Sequence, residues 1–185
     1  IGNAAITGTY TNTGVLTAGT ALTGSGMLTQ GANAFLNIGG TSTITGLNAT
    51  ANPPNTVTYN GTTQSIKAVN YSNLILGGTS GTKTFQATTS ISGSLSVLTG
   101  VMAGMNGYNA TVQSLYLGGV GRSSGTWGGT GSGATNINST FFVTASGVVN
   151  VSSCAGIWTG ATSTDWNVAT NWCDGNIPTS TTDVN

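Results

Sequence analysis

Apolar residues in this chain come in twos and threes, alternate with polar ones, and are interrupted by clusters of Gly, Asn, Ser and Thr. "FLNI" (35–38), "VTY" (57–59), "YSNLIL" (71–76), "SGSLSV" (92–97) and "TVQSLYL" (111–117) all follow this rule. Alternation with a period of two marks a strand with one buried face, and runs this short, bounded by turn formers, leave little room for helix. The pattern predicts strands of about three to six residues along most of the chain.

A repeat emerges when the strand centres are aligned. Leu16, Leu36, Val57, Leu74, Leu95 and Leu115 are separated by 20, 21, 17, 21 and 20 residues. Such a period, with two or three short strands in each, predicts an all-β fold of the parallel β-helix (β-solenoid) type. Each coil of about 20 residues then stacks on the one before, and a narrow column of Val, Leu and Ile is buried. Leu36, Leu74, Leu95 and Leu115 are expected to share that column. Gly and Asn are expected at corners, where the backbone often turns left-handed, and Thr and Ser on outward positions. The competing fold is an antiparallel sandwich, but no Asn-Gly hairpin signal recurs.

The regularity loosens from Gly118 onward. The Gly- and Ser-rich stretch that carries Trp127 is read as a loop leaving one face of the stack, with "TFFVT" (140–144) and "GVVNVS" (147–152) as a last coil. A shift in composition near Ser153 divides residues 1–153, the solenoid, from a small Trp-rich connector at 154–185. That connector holds both cysteines, all three acidic residues and three of the four tryptophans.

Composition narrows the function. Only 3% of residues are charged, against about 25% in an ordinary soluble domain, and Thr, Ser, Asn and Gly make up 103 of the 185. With Lys67, Lys83 and Arg122 as the only cations, no basic patch exists to neutralise a row of phosphates, which argues against nucleic acid. No apolar run approaches the ~18 residues that a membrane helix needs. The chain begins without Met or a signal-peptide pattern and reads as a mature segment or a window of something longer. Catalysis is not expected: a Ser-His-Asp arrangement cannot form without His, and residues 1–153 contain no carboxylate to move protons. A flat Thr array for binding ice is a further reading. The pairs Thr7/Thr9, Thr41/Thr43, Thr56/Thr58 and Thr82/Thr84, however, are spaced 34, 15 and 26 apart, out of phase with the coil.

"VTYNGTTQSIKAVNYSNLILGGTSGTKTF" (57–85), "SGTWGGTGSGATNINSTFFVTASGVVNV" (124–151) and "WTGATSTDWNVATNWCDGNIPTSTTDV" (158–184) resemble the repeat modules of very large Bacteroidota cell-surface adhesins. These are exported by the type IX secretion system and include the SprB-like gliding adhesins. The resemblance implies an extracellular, cell-surface location, tandem copies and a fibrous shape. It also implies that the Trp-rich segment leads to a next module.

In an exported chain, Cys154 and Cys173 are expected to form a disulfide, since no further Cys or His completes a metal site; two reduced, buried thiols are the alternative. Trp158, Trp166 and Trp172 are expected to pack as the connector's core, with glycan contact as the other use of such rings. Trp127, in its Gly-rich loop, is the better candidate for exposure. Asp165, Asp174 and Asp183 recur every nine residues, which suggests calcium, but the Gly-rich nonapeptide context is missing, so Asp165 is expected to bond turn amides instead. No other cofactor is implied. The expected partners are neighbouring copies of the module or end-to-end subunits, because an open stack exposes strand edges, and surface polysaccharide comes second.

If the disulfide forms, the non-reduced mass will lie two hydrogen atoms below the free-thiol mass. Reduction will then shift tryptophan fluorescence while the far-ultraviolet β signal largely persists. Two alkylatable thiols in freshly secreted protein would contradict the pairing.

Overall fold

The structure, a computed structural model, describes residues 2–152, 156–160, 162–172, 176–180 and 184. It is an all-β solenoid of about six turns with roughly 20-residue spacing. Each full coil carries up to three short strands, one for each side of a three-sided stack.

The broad face is built from Val15–Ala18, Phe35–Ile38, Thr56–Tyr59, Asn73–Leu76 and the C-terminal halves of Thr89–Val97 and Ala110–Leu117, all parallel. Its register sets Leu16 beside Leu36, then Val57, Leu74, Leu95 and Leu115. The column expected from the spacing is therefore the column observed, and Leu36, Leu74, Leu95 and Leu115 are fully buried in it. Two residues further along, Ala18, Ile38, Tyr59, Leu76, Val97 and Leu117 stack as a second buried column. Alternation explains both, because residues i and i+2 share a face.

One flank carries Asn3–Ala5, Ala21–Thr23 and Thr41–Ser42, then, after a break in pairing, Gln64–Ile66, Gly81–Phe85 and Val101–Gly104. The other carries Thr9–Asn12, Met27–Gln30 and Gly46–Asn48. It continues through single bridges from Ala49 to Tyr71 to Ile91, then through the N-terminal halves of the two long strands.

The corner that follows the broad face shows why glycine is needed there. A Cβ on Gly39 would overlap the carbonyl oxygen of Gly19, one on Gly61 would overlap that of Gly39, and one on Gly78 would crowd that of Gly61. Gly78 has the left-handed φ of +97° expected at a corner, but no left-handed φ is found at Gly39 or Gly61. At those two the requirement is close backbone approach between coils.

Residues 118–140 correct the loop expectation. Instead of leaving the stack they fold back on it: Val120–Arg122 pairs antiparallel with Leu115–Leu117, and Gly125–Gly128 pairs antiparallel with Val149–Val151. A last, incomplete coil follows. Phe142 bridges Ala103 in parallel, and Val149–Val151 pairs with Ala110–Val112. "TFFVT" contributes that single bridge rather than a strand, and Phe142 is fully buried. The coil stack is thus covered at this end by its own antiparallel strands. At the opposite end Tyr10 and Val15 stand exposed, Val15 at 70%.

Replacing Leu95 by Ala should cost about 2–5 kcal/mol, the usual range for a packed leucine. Ser96→Ala, one residue on and facing outward, should stay within about 0.5 kcal/mol. Urea unfolding of both variants checks the column, and equal effects would contradict it.

Candidate functional site

The two lysines of the coils are put to structural use. Lys83 is fully buried, and its ammonium donates to the carbonyls of Gly61 (2.7 Å) and Thr62 (2.6 Å) at the corner of the preceding coil. Burial pulls its pKa below the ordinary lysine value. Its register partner Gln64 does the same one coil earlier, donating to Ile38 O and Gly40 O while Gly61 N donates to its Oε1. These side chains supply partners for the corner carbonyls of Gly40, Gly61 and Thr62, and Ile38 O accepts from Asn60 N as well. Lys67 donates from Nζ to Ile44 O (2.6 Å).

The shortest coil step, between Val57 and Leu74, is filled by two tyrosines that meet inside the stack. Tyr59 and Tyr71 hydroxyls lie 3.1 Å apart; Lys67 N donates to Tyr59 Oη, and Tyr71 Oη donates to Lys67 O. That assignment leaves Tyr59 as the donor of the tyrosine pair. Burial raises both hydroxyl pKa values, Tyr71 well above its ordinary range.

In the connector the three tryptophans come together as expected. Trp158 stacks on Trp166 at 5.6 Å, and Trp172 meets both edge-on at 5.0 and 4.9 Å. Trp172 is 2% exposed and donates Nε1–H to Trp166 O. Buried Asn171 ties the loop, accepting from Thr162 N and Ser163 N and donating to Asp165 O. Asp165 spends Oδ1 on the amide of Asn167, the turn bond the sequence suggested. Ile157 is buried and sits over Gly121 of the antiparallel cover. Cys154, Cys173, Asp174 and Asp183 lie outside the described residues.

The order of tryptophan exposure differs from expectation. Trp127 is half-buried against the core, donates Nε1–H to Ser123 O and lies under Arg122 at 5.6 Å. Trp166 is the exposed ring, at 56%. Trp127 sits on a strand rather than a free loop, and that strand holds it over the end of the stack.

The Thr pairs do not make an array. Thr56 and Thr58 lie beside Phe35 and Asn37 on one side and Asn73 and Ile75 on the other. What the outer surface does offer is a groove of about 870 Å³, lined by Pro53, Pro54, Ser94, Ser96, Gln113 and Tyr116 among others. No sequence signal single-handedly marks it, because serine outward on a strand is ordinary. No protein-family model, curated protein or solved structure matches the chain.

The tyrosine pair gives a pH signature. A hydroxyl whose folded pKa exceeds its unfolded value contributes stability that is complete below about pH 10 and is lost as pH rises toward the folded pKa. Tyr71→Phe should therefore lower stability at neutral pH by about 1–3 kcal/mol, since partners are left unsatisfied, and should flatten the alkaline decline. Urea midpoints between pH 7 and 11 test this, and an unchanged alkaline slope would contradict it.

Proposed function

We propose that this chain is a structural segment of an extracellular, repetitive cell-surface adhesin or filament, serving as a shaft or spacer that carries adhesive contacts, with gliding motility as one setting. The observation that carries the reading is the unbroken register of the broad face through six coils. A solenoid with a closed interior and a neutral surface transmits length and stiffness, and it asks little else of its side chains. The cations support the same view, since Lys67 and Lys83 are committed to corner carbonyls. The resemblance to type IX-secreted adhesin repeats supplies the setting.

In this reading residues 154–185 form a joint, stapled by Cys154 and Cys173, to a neighbouring copy. A second reading, glycan contact by the connector, is favoured by one observation: Trp166 presents more than half of its surface beside two packed rings.

Antibody fragments raised against residues 2–152 test the proposal. They should label intact, unpermeabilised cells that make the protein and should reduce attachment of those cells to surfaces. Labelling only after permeabilisation, or undiminished attachment at saturating label, would overturn it.

A further inference from the structure

Among the outward positions of the broad face, side-chain size dips at the coil of Ser94 and Ser96. The register sets Thr58, Ile75, Ser96 and Tyr116 in one outward row and Thr56, Asn73, Ser94 and Ser114 in the next. Serines at 94, 96 and 114 leave a notch between the Pro53–Pro54 loop on one side and Leu98 and Tyr116 on the other. A second hollow of about 410 Å³ continues it round the corner at Gly93, sharing Ser92 and Gln113 and adding Ser90 and Thr111. The strand beneath, Thr89–Val97, has nine residues, about 30 Å at roughly 3.3 Å each. This is a trough, not a pit for one small molecule.

We propose that this trough binds a neutral oligosaccharide. Its polar groups are of the right kind and are uncommitted: the side chains of Ser92, Ser96, Gln113 and Ser114 make no hydrogen bond to other described residues, whereas Asn73 and Ser94 are bonded to each other. Hydroxyls and amides pair with sugar hydroxyls. The half-buried ring of Tyr116 and the exposed Leu98 offer apolar surface for the C–H faces of a pyranose. Among the described residues no Lys, Arg, Asp or Glu lines either hollow, which favours a neutral ligand over an ionic one. An extended peptide fits less well. Peptides add to open sheet edges, and this floor lies where each strand is already paired on both sides. The larger hollow alone, about 870 Å³, falls within the range common for ligand clefts, about 300–1,000 Å³. This site is distinct from the connector tryptophans.

Amide chemical shifts of the isotope-labelled protein, titrated with cellohexaose, maltohexaose, xylohexaose and mannohexaose, test the proposal. At least one probe should move the amides of residues 92–98 and 113–116 in a saturable way. Ser96→Leu, which fills the notch from an outward position, should weaken that binding at least tenfold. Gln113→Ala should weaken it several-fold, and Trp166→Ala should leave it unchanged. Unchanged spectra outside the trough would show that each variant keeps the fold. The proposal is overturned if no probe moves these amides, if Ser96→Leu binds as well as the parent, or if Trp166→Ala alone abolishes binding.

Discussion

The coil stack depends on one constraint: the strands of its coils find their backbone partners one coil away, in parallel, rather than nearby in sequence. A coil alone buries almost nothing and pairs with nothing. Stacked, the coils share two continuous inward columns on the broad face, and the interior closes. Loop closure of about 20 residues per contact is the entropic cost, and it grows only slowly with loop length. Coils of 17 and 21 residues can therefore sit in the same register, the difference being absorbed at corners.

Corners are where that arrangement comes under strain, and the chain answers in two ways. Glycine at 39, 61 and 78 lets one coil's backbone lie against the next without a Cβ between them. Where corner carbonyls remain without strand partners, long polar side chains reach back to them: Gln64 to Gly40 O and Lys83 to Gly61 O and Thr62 O. Asn12 ties coils in the other direction, bonded to Gln30 and to Phe35 O. The buried lysine is thus a strut. Its charge is met by carbonyl oxygens, which suits a chain with so few carboxylates.

The repeat was legible because the apolar spacing is the register itself: aligning Leu16 through Leu115 by eye reproduces the pairing along six strands. The packed tryptophans and the turn bond of Asp165 were legible too, from residue type and local spacing. The antiparallel return of residues 118–128 was not. Gly- and Ser-rich sequence carries no apolar period to give a strand its direction, and for that reason it points to an exposed Trp127 where the structure holds the ring half-buried. Nor could the sequence mark Lys83 as internal, since its partners are backbone atoms with no residue type to betray them. The trough was hidden for a related cause: it arises from the relative size of residues about 20 positions apart, visible only once the register is fixed.

The antiparallel cover at one end has a mechanical consequence. Because Val120–Arg122 and Gly125–Gly128 occupy the edges of Leu115–Leu117 and Val149–Val151, a second stack placed beyond this one cannot pair with those strands as a next parallel coil would. If the chain repeats as proposed, each copy would behave as a separate stiff rod, with bending gathered between copies. Reach would lengthen in fixed steps, and damage to one rod would stop at its cover.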